Sequence, residues 1–240
     1  MSKPTILYED ENLLIINKPA GLVVHADGRT KEKTLADWVL EKYPDMKDVG
    51  EPIILPSGNA IYRPGIVHRL DRDTSGVMVL AKKQSSFEYM KELFQNREVH
   101  KKYHAFVYGI VKADDATIDR PIARSRKDFR KWSAQRGARG DAKEAVTYYR
   151  VLSRLEDVGA TLIEAEPKTG RTHQIRVHFK AINHPVVCDS LYAPKGKPLL
   201  GFERLALHSR SIEFIDKKGK QIKVEAPYPK DFKEAIASFA

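Results

Sequence analysis

Short segments with the pattern of β-strands recur along the whole sequence, and they restrict the chain to a fold built on a sheet. The clearest covers residues 101–108, where Tyr103, Ala105 and Val107 fall on one side of the strand, because strand side chains point alternately to two faces. The other predicted strands cover residues 5–8, 12–17, 77–81, 145–152, 160–166, 205–215 and 221–225.

Helices are fewer, and they are predicted from capping residues and apolar spacing. Thr34 caps a helix that runs to Tyr43 and stops before Pro44. A second helix begins at Ser86, and a third covers residues 172–182. Strands and helices do not alternate strictly, so the sequence predicts an α+β fold with a mixed, largely antiparallel sheet and flanking helices.

Domain organisation follows from length and from the absence of linkers. Residues 44–64 are rich in proline and glycine and are predicted to form a loop. No stretch divides the chain convincingly, so residues 1–240 are predicted to form a single domain.

The expected compartment is a reducing cytoplasm. The chain has one cysteine, Cys188, which cannot form an internal disulfide, and its first residues lack the apolar stretch of a secretion signal. No run approaches the roughly 18 apolar residues that a membrane span needs.

The net charge of +10 is concentrated in residues 120–143, where nine basic residues face two acidic ones. Such a local excess favours a polyanionic partner. Phe129 and Trp132 lie within this segment, and aromatic rings among arginines suit stacking on unpaired bases. The alternative is a solvated loop whose rings dock on the core. We predict RNA rather than a membrane as the partner, since no amphipathic helix carries the charge.

Several common chemistries lack their sequence signals. Neither a glycine-rich dinucleotide motif nor a phosphate-binding loop is present, so no nucleotide cofactor is predicted. The eight histidines never form a zinc motif, and no metal is expected. Ser75 lacks the setting of a hydrolase nucleophile. A two-carboxylate glycosidase is disfavoured because Asp71 and Asp73, at i and i+2, would point to opposite sides of a strand.

One carboxylate has an unusual setting, since Asp71 lies between Arg69 and Arg72 in a short run bounded by apolar residues. Nearby cations favour the charged form of an acid, which then remains available as a nucleophile or as an electrostatic stabiliser. The alternative is an aspartate that caps the following turn while both arginines point into water.

The segment around Asp71, HRLDRDTSG at 68–76, resembles the catalytic motif of RNA pseudouridine synthases of the RluA type. Further segments follow in the order found in that family: NKPAGL at 17–22, KKYHA at 101–105, GRTHQIRVH at 170–178, RLALH at 204–208 and APYP at 226–229. The resemblance covers nearly the whole chain. It implies a single catalytic domain with a central RNA-binding cleft.

The reaction implied by this resemblance is an isomerisation without cofactor, in which the C1′–N1 bond of uridine breaks and the base rejoins through C5. Asp71 matches the essential carboxylate, and the choice between attack on sugar, attack on base and a glycal route stays open. Tyr103 matches the tyrosine that packs against the target base; alone, it would be read as a core aromatic. Arg176 matches the basic residue that pairs with the aspartate; alone, it would be read as a surface arginine.

The resemblance also suggests residues that bind the substrate. Arg69 is expected to reach the target nucleotide or the space left by its flipped base, with a phosphate clamp or an ordinary ion pair as the alternative. Ile175 is expected to line the pocket, although core packing explains it equally well. Arg171, His173 and Gln174 are expected either to contact RNA or to satisfy backbone groups.

In the family, the region of residues 120–143 is a mobile finger that grips a stem-loop. We therefore predict that Arg126, Arg130 and Lys131 bind RNA. The catalytic pattern starts within the first ten residues, so no N-terminal S4 module is expected. The expected substrate is a compact stem-loop of rRNA or tRNA. The enzyme is expected to be a monomer. The other hypotheses are a non-catalytic RNA-binding or ribosome-assembly factor on the same fold, and an RNA glycosidase or nuclease.

Overall fold

The computed structural model describes residues 2–26, 32–54, 58, 60–135 and 139–239, with the side chain of Arg139 left out. Strands and helices occur together and the described strand pairs are antiparallel, which confirms the α+β prediction. The chain forms two compact units. The first comprises Met1–His100 with Ser211–Pro227, and the second comprises Lys101–Arg210 with Tyr228–Ala240.

The first unit is built on antiparallel strands β1 (Thr5–Glu9), β2 (Leu13–Lys18) and β5 (Ser75–Ala81), with β2 in the middle. All seven residues of β5 are buried, as their continuous apolar run predicts. The remaining elements of this unit are α1 (Leu35–Lys42), a 3₁₀ turn (Pro44–Met46), the two-residue strands β3 (Ile53–Ile54) and β4 (Ala60–Ile61), and α2 (Gln84–Gln95).

The second unit contains the antiparallel strands β6 (His100–Tyr108), β12 (Ala160–Pro167), β11 (Val146–Leu155) and β7 (Asp115–Asp119), paired in that order. Helix α3 (Gln174–Ala181) packs on one face through Phe179, and α4 (Lys230–Ala237) packs on the other through Phe232. Strand β13 (Leu207–Ile215) includes the unit boundary, and its Ser211–Ile215 half pairs with β14 (Gln221–Glu225).

Part of the arginine-rich segment, residues 120–143, forms a smaller sheet in the second unit. It consists of β8 (Ile122–Arg124), with β9 (Trp132–Ser133) on one side and β10 (Arg139–Lys143) on the other. The amide of Arg120 donates to the carbonyl of Ala145 at 3.2 Å and closes the base. These three short strands were not predicted, because segments of two to five residues carry too little periodicity. We call residues 120–145 the basic insertion.

Most predicted elements are confirmed, and the differences lie at their ends. Thr34 caps α1 with a reciprocal bond to Asp37, as expected. The third helix begins at Gln174 rather than at 172, because His173 has a φ of 55°, which is not helical. The second helix begins at Gln84, two residues earlier than predicted, and residues 44–64 contain short ordered elements as well as loop.

Candidate active site

The segment that carries Asp71 is irregular backbone that leads into β5. Asp71 is half-buried, and it follows the buried Leu70. The amide of Thr74 donates to the carbonyl of Asp71 at 3.2 Å and closes a turn. Because β5 begins only at Ser75, strand alternation cannot be used to place Arg69 and Asp71 on one face.

A fully buried lysine fixes the turn next to Asp71. The Nζ atom of Lys18 donates to three backbone carbonyls at 2.8–2.9 Å, those of Pro19, Leu22 and Arg72. A buried ammonium group is tolerated only when its protons are hydrogen-bonded. Lys18 therefore ties the backbone one residue beyond Asp71 to the segment that follows β2.

The two arginines next to Asp71 in sequence have other partners. Nη2 of Arg72 donates to Oε2 of Glu32 at 2.9 Å. Nη1 of Arg69, an exposed residue, lies 3.3 Å from Nε2 of His25. The Arg69 contact is consistent with a side chain that lies at the protein surface, and its role towards a nucleotide stays a prediction.

His68, the first residue of the catalytic motif, supports the same loop from the other end. Its Nε2 accepts a hydrogen bond from the amide of Val79 at 3.0 Å. Its ring stacks on Phe94 with 4.6 Å between the ring centres. Both contacts anchor the start of the loop to the core of the first unit, so His68 has a structural function.

Tyr103 lies in the second unit on β6, half-buried and packed against the core. Tyr103 pairs with Ala165 and Ala165 with Tyr149, so the three side chains share one face of the sheet. Phe179 of α3 packs against Tyr149 with 5.3 Å between the ring centres. Helix α3 therefore lies on the face of the sheet that Tyr103 occupies.

Lys101 precedes Tyr103 by two positions on β6 and points to the same face by strand alternation. Burial, with a smaller effect from the charge of Lys168, lowers the pKa of Lys101 to about 8. Lys101 therefore loses its proton closer to neutral pH than an ordinary lysine does, and it lies on the same strand as the predicted active-site residue Tyr103.

Arg176 is buried in α3 and makes a two-pronged ion pair with a fully buried carboxylate. Its Nε lies 2.7 Å from Oδ2 of Asp189, and its Nη2 lies 2.8 Å from Oδ1. The same Oδ1 also accepts the amides of Leu191 and Tyr192 at 3.0 Å each. The guanidinium plane is therefore fixed. The pairing of Arg176 with Asp71 stays a prediction.

Tyr192 connects Arg176 to the basic insertion. The guanidinium carbon of Arg176 lies 5.1 Å from the centre of the Tyr192 ring. The Tyr192 hydroxyl accepts the amide proton of Trp132 at 3.0 Å and lies 2.9 Å from Nδ1 of His173. Tyr192 thus contacts the insertion, the start of α3 and the buried arginine at once.

The remaining predicted residues on this segment divide into buried and half-buried ones. Gln174 is buried, accepts the amide proton of Arg171 at 2.9 Å and donates to the carbonyl of Val146 at 3.0 Å. These contacts satisfy backbone groups, which is the alternative to RNA contact that the sequence suggested for Gln174. Ile175 is buried in the core of the second unit, and the Arg171 side chain bonds the carbonyl of Glu144. Their substrate contacts stay predictions.

His178, also on α3, is a buried neutral group. Its Nδ1 bonds Oγ1 of Thr147 at 2.9 Å, and its Nε2 bonds the carbonyl of Arg120 at 3.0 Å. Burial lowers the pKa of His178 below its ordinary value. Through the bond from Nε2 to the Arg120 carbonyl, this residue connects the base of the basic insertion to α3.

The basic insertion exposes most of its predicted RNA contacts. Arg126 and Arg130 are exposed and Lys131 is half-buried. Arg130 donates from Nε and Nη2 to Asp128 at 3.0 and 2.9 Å. This pairing lowers the pKa of Asp128 to about 2, so the acid stays ionised and neutralises part of the local charge. Arg136 lies outside the described residues.

Comparison with known proteins gives the family. The family described as RNA pseudouridylate synthase matches residues 12–181. An uncharacterized RNA pseudouridine synthase of Bacillus subtilis is 39% identical over 232 residues, which cover 96% of this chain and 71% of that protein. The chain belongs to the RNA pseudouridylate synthase family. It is therefore an isomerase that converts uridine to pseudouridine in RNA.

Other relatives agree with this assignment. A protein of Xanthomonas campestris named ribosomal large subunit pseudouridine synthase D is 38% identical over 245 residues, covering 97% of this chain and 68% of the relative. The solved structure of the human RNA pseudouridylate synthase domain containing 4 protein superposes with a TM-score of 0.74 and 27% identity. It covers 97% of this chain and 91% of the human one.

Two residues of the site were not identified from the sequence, Asp189 and Tyr192. Asp189 follows Cys188 in a stretch without regular structure, where an acid usually lies at the surface. The one available signal was the apolar pair Val186–Val187 before it, which predicts a buried segment.

Among the described residues, no three His, Cys, Asp or Glu side chains gather to hold a metal. The described helices include none with the length and apolar character needed to cross a membrane.

Proposed function

We propose that Asp71 is the essential carboxylate of this enzyme. Family membership supports this proposal, together with the resemblance of HRLDRDTSG, residues 68–76, to the catalytic motif of such enzymes. The observation that carries the proposal is the fixation of its loop by fully buried Lys18, whose ammonium bonds the carbonyl of Arg72. A catalytic group must be held in position before substrate arrives, since misplacement sharply lowers the rate.

The reaction needs no net change in atoms. The C1′–N1 bond of uridine breaks, a C1′–C5 bond forms, C5 loses its proton and N1 gains one. Asp71 acts on the sugar or the base to permit the first step. Tyr103, a phenol half-buried on β6, packs against the detached base and assists removal of the C5 proton.

Arg176 is proposed to keep Asp71 ionised and oriented. Its guanidinium is held in a fixed orientation by Asp189 through Nε and Nη2. A cation already held in position strengthens a second charge-assisted bond without losing further side-chain freedom. Arg69 and Ile175 are proposed to contact the target nucleoside.

The substrate is proposed to be a stem-loop of structured RNA, bound by a monomer in the cytoplasm. Relatives named for the ribosomal large subunit support large-subunit rRNA as the first RNA to examine, with tRNA as the second. A uridine inside a duplex is unreachable, so the target must be looped or flipped. Arg126, Arg130, Lys131, Arg171 and His173 are proposed to bind this RNA and offset the unstacking cost.

Chemical mapping of pseudouridine on total rRNA and tRNA tests the reaction and the substrate together. RNA from cells that lack the gene should miss at least one modified site. Wild-type protein should restore that site, whereas Asp71→Asn should not, although it binds RNA within severalfold of wild type. Asp114→Asn is the control, because the Asp114 side chain is 85% exposed and the residue lies immediately before β7, outside the catalytic motif. Restoration by Asp71→Asn would refute the assignment, and a wild type that binds but modifies nothing would favour the non-catalytic alternative.

A further inference from the structure

The tip of the basic insertion carries an exposed aromatic side chain. Phe129 is 81% exposed, a larger fraction than that of any other large apolar side chain described. Single exposed apolar side chains occur on many protein surfaces, so exposure alone does not identify a binding residue. The backbone and the charges around Phe129 provide the further evidence.

The backbone around Phe129 is ordered by its neighbours. The carbonyl of Phe129 accepts a hydrogen bond from Nη1 of Arg124 at 2.8 Å. The amide of Arg130 donates to Oδ1 of Asp128 at 3.0 Å, and the amide of Lys131 donates to the Asp128 carbonyl at 3.0 Å. These bonds form a closed turn with Phe129 at its outer end, so the ring is presented by a fixed backbone.

The second aromatic residue of the insertion is engaged within the protein. The guanidinium carbon of Arg124 lies 4.2 Å from the centre of the Trp132 ring, which is a cation–π contact. Trp132 also packs against the small core cluster that includes Ile122 and Tyr192. Of the two rings that the sequence suggested for base stacking, the structure assigns Trp132 to packing and leaves Phe129 at the surface.

The charges around Phe129 suit a nucleic acid rather than a protein surface. Arg126, Lys127 and Arg130 are exposed close to it in sequence, and the adjacent acid, Asp128, is paired with Arg130. An exposed ring among cations is the arrangement used to bind single-stranded nucleic acid, where bases stack and phosphates are neutralised. A double helix offers no free base face except at its ends.

We propose that Phe129 stacks on an unpaired base of the RNA substrate, while the neighbouring cations hold the flanking phosphates. This inference rests on the proposed function, and it identifies the looped, unpaired part of the RNA as the feature that the insertion recognises.

The test measures binding of the whole protein to two probes, a short single-stranded oligouridylate with an internal 2-aminopurine and a long RNA duplex, in which few base faces lie at an end. Phe129→Ala should raise Kd for the single strand by roughly 5- to 150-fold, the range expected for loss of one stacking contact. The duplex Kd should change less than twofold. The slope of log K against log salt should stay the same, since no cation is removed. Wild type should quench the 2-aminopurine, and Phe129→Ala should not.

Matched variants separate stacking from a general apolar contact. Phe129→Trp should bind like wild type, whereas Phe129→Leu should bind like Phe129→Ala. Ile215→Ala, which removes an apolar side chain that is 57% exposed in the first unit, should leave both probes unaffected. Unchanged melting temperatures would show that the variants are folded, as expected for an exposed side chain.

Three outcomes would overturn the inference: single-strand binding of Phe129→Ala equal to wild type, full recovery by Phe129→Leu, or equal losses on single strand and duplex. Because this assay measures binding alone, its failure would leave uridine isomerisation by Asp71 intact. Failure of the proposed function would instead be seen as the absence of pseudouridine in reactions of the wild-type enzyme.

Discussion

Removing the charge of Asp189 should destabilise the protein strongly. Asp189 is fully buried and receives four hydrogen bonds, two from Arg176 and two from the amides of Leu191 and Tyr192. In Asp189→Asn, an amide NH₂ replaces one oxygen and faces N–H donors at 2.7–3.0 Å. The buried guanidinium also loses its counter-charge.

The magnitude follows from the burial of this pair. Breaking a buried ion pair by removing one partner costs roughly 3–5 kcal/mol. For a chain of this size, 1 kcal/mol corresponds to a shift of about 2–4 °C, so the melting temperature should fall by roughly 6–20 °C. Differential scanning calorimetry at pH 7 measures this shift. Pseudouridine formation below the melting temperature should also fall, since the Arg176 guanidinium is no longer held.

A partly exposed ion pair with the same geometry provides the control. Asp128 accepts Nε and Nη2 of Arg130 just as Asp189 accepts those of Arg176, but the Arg130 side chain is 62% exposed, so water competes for its charge. Asp128→Asn should therefore leave the melting temperature almost unchanged. The double variant Arg176→Met with Asp189→Leu should melt above Asp189→Asn, because no uncompensated charge remains. An Asp189→Asn protein that melts within about 2 °C of wild type would refute the reasoning.

Three further predictions concern charge and pH. Reversing the charges of Arg126, Arg130 and Lys131 should weaken RNA binding and reduce the slope of log K against log salt by about two to three, as measured by filter binding; an unchanged slope would count against the insertion as an RNA grip. The lowered pKa of Lys101, about 8 against an ordinary 10.5, means that the folded protein holds fewer protons than the unfolded one between these values. Lys101→Met should therefore raise the melting temperature, with the full increase below pH 8 and a smaller one as pH approaches 10.5. An increase that does not vary with pH would contradict burial as the cause of the lowered pKa. Burial lowers the pKa of His178 as well, so its contribution to stability is lost as pH falls below about 6.5. In a pH series, the melting temperature of His178→Gln should therefore fall less with decreasing pH than that of wild type.

The longer strands were predictable because each has enough residues to show a period. Residues 101–108 alternate, and β6 covers them as His100–Tyr108. The strands of the basic insertion were not predictable, since β9 consists of Trp132 and Ser133 alone. Such a pair becomes a strand only because β8 lies beside it. Pairing between distant segments is a property of the folded chain, which single-sequence patterns do not carry.

The sequence supports a prediction for site residues that lie in a continuous motif, and none for residues whose role would come from tertiary contacts. Asp71 and Arg176 lie in motifs that name their family. Asp189 has no such mark, and its importance comes from a buried guanidinium 13 positions earlier in the chain. The start of α3 was misplaced because His173 adopts a left-handed conformation, which its sequence neighbours did not indicate.

The contacts of Tyr192 have a consequence for protein engineering. Its hydroxyl receives the backbone N–H of Trp132, whereas its ring lies against Arg176. Exchanging the basic insertion for that of a relative, in order to redirect the enzyme to another RNA, would alter a contact of the buried arginine too. A chimera should therefore carry a residue with an available amide proton at position 132, and should exclude proline there.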